Sequence, residues 1–458
     1  MTMARPAFTI AGLRKSVAAN SVPVLITTFT MQNVLRIVSN LVLTRLLAPE
    51  AFGVVGVISS INFVLQLLTD AGFYAFVVRS PHADDWRFRN IIWTIRLIRS
   101  AVLTTVMFVF AGALAAAFDK PELETPVRAA SFLFLLEGVR SLHPITAERA
   151  RRISYISIVE FSAFLLQMAT TITAAYLTKS YWALIIGLYA GDIATAVFSY
   201  ALYPGGFHRI AFDRETSREL WRFSRFIVSS SIITIVLNQT DKVFIGRALS
   251  LDGFGLYMLA ANLTAASLAL VRAYVIRILF PLFAETARNA AETLDKVYYS
   301  ARRRMTAILA FLIGGGVGGG HLAVRILFDE RYLSAGFYVS LLLLVPLFTL
   351  ITLPAEQFTI VKGHVRATLE ANIVRLIWIL VSAPLGLHFF GVIGLVCAFA
   401  LMEVATAVYW WFRLTRMRVL NLREEAVMLA AAGAGMALGF AADKLVESLI
   451  ASGVLPAF

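Results

Sequence analysis

Long apolar runs, separated by short polar breaks, follow one another along almost the whole chain. Since about 18 to 20 apolar residues cross a bilayer as a helix, this pattern predicts an all-α polytopic membrane protein. Twelve spans are predicted, over residues 21–46, 52–78, 90–117, 126–143, 154–177, 181–203, 224–247, 254–280, 305–328, 337–361, 369–389 and 391–412. A further apolar run over 425–442 and a weaker amphipathic tail after it predict one or two extra C-terminal helices.

The second half of the chain repeats the first at an interval of 202 residues. Residues Ser231, Thr234, Asn238 and Asp241 share one helical face, because they are three or four positions apart. The residues 202 positions before Ser230, Thr234, Asn238 and Asp241 are Thr28, Gln32, Arg36 and Ser39. Because an even number of spans separates the copies, the repeat is parallel. We therefore predict two six-helix lobes around a central cavity, residues 1–206 and 207–418, followed by an extra helix or hairpin at 419–458.

The charges predict an orientation. Only 15% of the residues are charged, and the net charge is +13. If the N-terminus is cytoplasmic, the inside loops hold about 25 basic residues and the outside loops about five, as the positive-inside rule requires. We therefore assign the positive charge to membrane orientation, rather than to nucleic-acid binding, and predict a multi-pass membrane protein with its N-terminus in the cytoplasm.

Ionisable side chains inside spans are costly, so each is a candidate functional group. The deepest cations are Arg36, Arg272 and Arg375. Guanidinium groups bind phosphate oxygens in a bidentate manner, which favours an anionic, phosphate-bearing substrate. We predict that these arginines bind substrate together with two residues of the polar stripes, Gln32 and Asn238.

Two carboxylates are candidates for gating or ion coupling. Asp70 and Arg272 are equivalent in the repeat and opposite in charge, so they form either a structural ion pair or a gate. Asp241 lies on the polar stripe, while its neighbour Lys242 is long enough to reach the outer surface. A bound proton or Na⁺ at Asp70 or Asp241, or the membrane potential, would supply the driving force.

Several classes of chemistry lack their signature residues. The chain has no phosphate-binding loop motif, its six histidines are scattered, and Cys397 is its single cysteine. We therefore predict no metal, no cofactor and no catalytic residue, and we expect a transporter rather than an enzyme. The glycine triplets 314–316 and 318–320 fit either close helix packing or a hinge.

The two most specific segments are TRLLAPEAFGVVGVISSINFVLQLLTDAGF and NQTDKVFIGRALSLDGFGLYMLAANL. Each contains the pattern R-x-L-x-x-[DE]-x-F-G, and together they resemble the polysaccharide transporter family of the multidrug/oligosaccharidyl-lipid/polysaccharide exporter superfamily. The resemblance covers roughly residues 20–420.

The resemblance implies alternating access and a polyprenyl-diphosphate-linked oligosaccharide as substrate, moved from the cytoplasmic to the outer leaflet. It implies that Arg36 and Arg272 contact the diphosphate. Besides this substrate, the expected partners are membrane lipids, a coupling ion and polysaccharide polymerase or export proteins. The alternatives are a peptidoglycan-precursor flippase, a multidrug or organic-cation antiporter, and a membrane glycan polymerase.

Overall fold

The computed structural model describes residues 21–69, 72–83, 85–149, 153–202 and 206–452, and these residues are helical and irregular, without β-strands. Their contacts divide the chain into two compact units. Unit 1 comprises residues 1–47 and 57–235, and unit 2 comprises residues 48–56 and 236–458.

The helices of the first half follow the apolar runs. They are α1 (Ser21–Leu46), α2 (Pro49–Leu68), α3 (Phe73–Arg79), α4 (Trp86–Val109), α5 (Ala111–Ala117), α6 (Glu124–Ala130), α7 (Phe132–Val139), α8 (His143–Arg149), α9 (Ile153–Thr178) and α10 (Trp182–Ala201). The predicted second span is therefore broken, because α2 ends at Leu68 and α3 begins at Phe73 after the left-handed Gly72 (φ 63°).

The described residues of the second half form the helices α11 to α20. They are α11 (Arg214–Ala248), α12 (Leu251–Tyr274), α13 (Phe280–Asn289), α14 (Leu294–Gly318), α15 (Gly320–Leu327), α16 (Ala335–Leu342), α17 (Leu344–Val361), α18 (Arg366–Ala400), α19 (Met402–Arg416) and α20 (Leu422–Ala451). A π-helical segment, Val275–Leu279, joins α12 to α13.

The prediction of an all-α polytopic membrane protein is confirmed. Among the described residues, eight helical stretches are long and apolar enough to cross a membrane, and a ninth, α14 with α15, is bent by 71°. The predicted boundary between spans eleven and twelve is also found. Gly391 has φ 61° and ψ −148°, so it divides α18 into two helices at that boundary.

The predicted fourth span, 126–143, corresponds to α6 and α7, which Ser131 joins in a helical conformation (φ −57°, ψ −33°), but its predicted end is wrong, because α7 ends at Val139. Beyond this end, Arg140 adopts an extended conformation (ψ 145°). The Arg96 guanidinium donates hydrogen bonds to the carbonyl oxygens of Gly138 and Arg140. These carbonyl groups would serve a continuing helix, so the arginine caps α7 instead.

The extra C-terminal segment is one helix over its described length, α20, which packs along α14. A Cβ atom at Gly314 or Gly318 would overlap with backbone of α20, and one at Gly435 or Gly439 would overlap with backbone of α14. The close-packing interpretation is therefore confirmed for Gly314 and Gly318, since only glycine lets these two backbones approach so closely.

The two copies of the repeat motif contact each other within unit 2. The Glu50 N–H donates to Oδ1 of Asp252 at 3.1 Å, although the two residues are 202 positions apart. A Cβ atom on Gly53 would overlap with the carbonyl oxygen of Leu251. A Cβ atom on Gly255 would likewise overlap with that of Pro49, so that equivalent glycines face equivalent carbonyls. The starts of α2 and α12 thus form a reciprocal contact between the two R-x-L-x-x-[DE]-x-F-G segments.

The segment before α11 is bound to unit 1 through His208, which is 8% exposed. Its imidazole stacks on the rings of Trp86 and Trp93, with centroid distances of 5.2 and 5.7 Å. The Leu142 N–H donates to Nε2 at 3.2 Å, and Nδ1 lies 3.1 Å from Oδ1 of Asn90. Because Nε2 accepts, the proton is on Nδ1, and the bound form of His208 is the neutral imidazole.

We expect this attachment to weaken as the pH falls. Burial, with the neighbouring His143, Arg96 and Arg89, lowers the pKa of His208 to about 3 from its ordinary value of 6.5. A group whose folded pKa is lowered in this way stabilises the bound form fully above pH 6.5, and that stability is lost progressively between pH 6.5 and about 3. Hydrogen exchange of residues 206–213 should therefore be about tenfold faster at pH 5 than at pH 7.5 after correction for intrinsic rates.

His208→Gln removes the titrating group at this position and serves as the control. Its exchange should depend much less on pH. An equally strong dependence in His208→Gln would assign the effect to other groups, beginning with His143, and would contradict the prediction.

Candidate functional site

The predicted substrate-binding residues of unit 1 lie on α1. Arg36 is exposed, and its guanidinium lies 6.0 Å from the ring centroid of Phe164 on α9. Gln32, one helical turn earlier, is half-buried. Within the described residues, Arg36 has no carboxylate partner, so it presents a full positive charge that a bound anion could neutralise.

Unit 2 contains the other two predicted cations, in different environments. Arg272 is exposed in the last turn of α12. Arg375 on α18 forms an ion pair with Glu403 of α19 at 3.1 Å, with side-chain exposures of 17% and 9%. The Arg375 side chain also donates to Oδ1 of Asn372 at 3.0 Å, and the Thr352 hydroxyl donates to Glu403 at 2.8 Å. The charge of Arg375 is therefore already balanced by protein groups.

Glu356 on α17 belongs to the same charged cluster. It lies within electrostatic range of Arg375, Glu403 and Arg272. The cluster of two arginines and two glutamates is neutral overall, and Arg272 is its exposed member. An anion approaching unit 2 would therefore meet Arg272 before Arg375.

The partner of Arg375 was missed in the sequence prediction, although a signal existed. Arg375 lies 16 residues before the turn at Gly391, and Glu403 lies 12 residues after it. Two helices that reverse at Gly391 bring these positions to a similar depth, and a buried arginine needs a carboxylate partner.

Of the two carboxylates predicted for ion coupling, the structure describes Asp241 but not Asp70. Asp241 on α11 accepts a hydrogen bond from the Tyr257 hydroxyl at 2.8 Å, and Tyr257 is 1% exposed. Asp70 lies outside the described residues, so the proposed pair with Arg272 remains a prediction. Asn238 lies on α11, one turn before Asp241, and the structure describes only its backbone.

Two other arginines of unit 1, Arg96 and Arg99, cap helix ends. Arg99 donates from Nε to the Thr69 hydroxyl at 3.0 Å and from its terminal nitrogen to the Gln66 carbonyl at 2.9 Å. These contacts lie at the C-terminal end of α2, where free carbonyls and the helix dipole favour a cation.

Among the described residues, no group of histidine, cysteine, aspartate and glutamate could hold a metal ion.

Three comparisons place these features among known proteins. The family model described as "Polysaccharide biosynthesis protein" matches residues 42–336, well over half of the chain. The teichuronic acid biosynthesis protein TuaB of Bacillus subtilis is 20% identical over 65% of this chain and 62% of its own length. The succinoglycan biosynthesis transport protein ExoT of Rhizobium meliloti is 25% identical over 68% of this chain and 62% of its own length. The chain thus spans less than two thirds of either relative.

A longer match and two solved structures complete the comparison. The lipopolysaccharide biosynthesis protein WzxC of Escherichia coli is 21% identical over 82% of this chain and 77% of its own length. The lipid II flippase MurJ in an inward closed conformation has a TM-score of 0.71 over 94% of this chain and 99% of its own, at 10% identity. An inward-facing multidrug resistance transporter of the MATE family has a TM-score of 0.65 over 87% of this chain and 98% of its own, at 14% identity. These two structures establish the similarity of the fold.

Proposed function

We propose that this chain, which belongs to the polysaccharide biosynthesis protein family, moves a polyprenyl-diphosphate-linked oligosaccharide from the cytoplasmic to the outer leaflet. The single observation that supports this proposal best is the pair of exposed cations, Arg36 and Arg272, each on a long apolar helix. A diphosphate carries the charge and the oxygen geometry that guanidinium groups bind.

The transport mechanism follows from this chemistry. Arg36 and Arg272 would contact the diphosphate, and Gln32 and Asn238 would serve as neutral hydrogen-bonding groups. Arg375 would act indirectly, because its pair with Glu403 balances the charged cluster beside Arg272. The lipid chain needs no polar contact and would remain in the bilayer.

Asp241 is the described candidate for ion coupling. Its carboxylate accepts a hydrogen bond from the Tyr257 hydroxyl, and an ionised carboxylate has further acceptor positions for a proton or Na⁺. Asp241→Asn should retain the hydrogen bond and remove the charge. We expect it to preserve folding and to abolish the dependence of transport on the ion gradient.

The test of the substrate site uses a strain that lacks this chain and accumulates lipid-linked glycan. Sidedness is read with a lectin or glycosidase that cannot cross the membrane. Wild-type protein should restore outward glycan, whereas Arg36→Ala and Arg272→Ala should each reduce it about a hundredfold at equal protein abundance. Arg36→Lys should recover only part of the activity, because a lysine lacks the bidentate geometry.

Arg303→Ala is the matched control, because Arg303 is an exposed arginine whose charge is already paired with Glu424. It should transport normally. Near-normal transport by both Arg36→Ala and Arg272→Ala would overturn the diphosphate site. The identity of the trapped lipid would separate a surface-glycan flippase from a peptidoglycan-precursor flippase, and normal sidedness with altered drug sensitivity would favour the antiporter.

Two further assignments belong to this proposal. The protein would reside in the bacterial inner membrane with its N-terminus in the cytoplasm, as the basic residues of the loops favour. The lipid-linked oligosaccharide that it moves to the outer leaflet would be the substrate of a polysaccharide polymerase or export system there. Reporter fusions within the predicted loops would test the orientation independently of transport.

A further inference from the structure

The segment that precedes and begins α11, residues 206–224, exposes large apolar side chains among cationic ones. Phe207, Ile210, Phe212 and Trp221 are 78%, 73%, 65% and 74% exposed. The interspersed arginines are also exposed; they are Arg209, Arg214, Arg218 and Arg222. We call the exposed side chains of this set the linker surface.

The apolar residues of the linker surface are held outward by a fixed backbone. His208 is buried in unit 1, while Phe207 and Arg209 on either side of it are exposed. The Arg209 N–H donates to Oδ1 of Asn90 at 3.3 Å, and the Ala211 N–H donates to the Thr94 hydroxyl at 3.0 Å. These bonds fix the backbone conformation of the segment, so its apolar side chains remain exposed.

The first turns of α11 continue the linker surface as a stripe. Arg214, Arg218 and Arg222 are four positions apart, which places them along one helical face, and Trp221 lies three positions after Arg218, beside that face. Leu220 points the other way and is 3% exposed in an apolar cluster of unit 1. The opposite burial of these neighbours fixes the rotation of the helix, so the tryptophan and the arginines face outward together.

This combination of side chains indicates the chemical nature of the partner that contacts the linker surface. Exposed phenylalanine, isoleucine and tryptophan favour an apolar medium, while four cations favour an anionic one. The boundary between acyl chains and anionic headgroups supplies both within a few ångströms, and tryptophan with arginine is typical of helices that lie there. The segment also holds three carboxylates, Asp213, Glu215 and Glu219, so four arginines against three carboxylates leave it a net charge of +1. The carboxylate of Asp213 accepts from the N–H and hydroxyl of Thr216 at 2.8 Å.

We propose that the linker surface binds the anionic phospholipid headgroups of the bilayer that contains this protein. Phe207, Ile210 and Phe212 lie in the interface, and the arginines contact the headgroup phosphates. The buried His208 anchors the segment on unit 1, so that the lipid contact fixes the start of α11 relative to the membrane plane.

The test measures the depth of the linker surface in the full chain. Replacing the single cysteine, Cys397→Ser, allows one spin label to be placed at Phe212→Cys or, as a control, at Glu219→Cys, which lies off the arginine stripe. Power saturation compares access to oxygen, which enters the bilayer, with access to a water-soluble nickel chelate. Nanodiscs contain either phosphatidylglycerol or phosphatidylcholine.

We expect the label at position 212 to favour oxygen in phosphatidylglycerol and to become more accessible to nickel in phosphatidylcholine. The label at 219 should favour nickel in both. Replacing the four arginines by glutamine should remove the difference between the two lipids at position 212, because each arginine contributes roughly fivefold to the affinity of the surface for anionic lipid. Replacing them by four lysines should retain the difference. High salt should act like the glutamine variant, because it screens the headgroup charge.

Nickel access at position 212 that is high in both lipids would overturn the proposal, and would leave this surface to a soluble protein partner. Oxygen access that is independent of lipid charge and of the arginines would overturn the headgroup assignment as well. Both measurements are made without transported substrate, so they are independent of the proposed flippase activity.

Discussion

Gly255→Ala is expected to separate the starts of α2 and α12 and to reduce transport to background. A Cβ atom at position 255 would overlap with the carbonyl oxygen of Pro49, and backbone cannot move aside as a flexible side chain can. Overpacking of this kind costs about 1 to 3 kcal/mol, and more when backbone rather than side chain must shift. Gly53→Ala should have the same effect, because its Cβ would overlap with the equivalent carbonyl of Leu251.

The separation can be measured by crosslinking. In the Cys397→Ser background, cysteines at Glu50 and Asp252 replace two residues whose backbone N–H and carboxylate are 3.1 Å apart. A short bis-thiosulfonate reagent should join them within one chain in the otherwise unchanged protein. Adding Gly255→Ala should lower the yield severalfold.

The control is Gly433→Ala on α20, where a new Cβ would meet no atom within 4 Å. This substitution adds the same methyl group to a helical glycine, so it should be neutral or slightly stabilising. Crosslinking that survives in both Gly53→Ala and Gly255→Ala would mean that the reciprocal contact tolerates a methyl group, contrary to this prediction.

The reciprocal contact also explains why the repeat could be recognised from the sequence. Equivalent glycines face equivalent carbonyl groups across this contact, so both copies of the segment must meet the same packing requirement. The motif R-x-L-x-x-[DE]-x-F-G therefore recurs after 202 residues, while the surrounding helices differ in most positions. Helices were predictable for a simpler reason, since every backbone polar group in a bilayer must be satisfied within its own segment.

The candidate site was less predictable, because depth in the membrane does not determine a partner. Arg36, Arg272 and Arg375 look alike in the sequence, yet Arg375 is paired with Glu403 and the other two are exposed. The difference depends on the turn at Gly391, which brings two helices together. Similarly, the arginines that cap α2 and α7 act on helix ends whose positions the apolar pattern did not locate.

Glu425→Ala is expected to destabilise the packing of α20 on α14 more than any surface substitution. Glu425 forms an ion pair with Arg302 in which both side chains are 3% exposed. The Arg302 guanidinium also lies over the rings of Tyr298 and Tyr299, at 4.6 and 4.9 Å, and donates to the Tyr298 hydroxyl at 3.0 Å. Removing the carboxylate leaves a buried cation without its counter-charge, which costs about 3 to 5 kcal/mol.

The adjacent pair Arg303–Glu424 supplies a matched control in the same two helices. Its atoms are 3.4 Å apart and its arginine is 58% exposed, so Glu424→Ala should cost less than about 1 kcal/mol. Thermal inactivation in detergent should place Glu425→Ala well below wild type and Glu424→Ala close to it. The double variant Arg302→Met, Glu425→Leu should recover much of the loss, because apolar residues of similar size avoid the unpaired charge. Equal stability of Glu425→Ala and Glu424→Ala would mean that the buried pair contributes no more than the exposed one, and that the glycine contact alone holds α20 on α14.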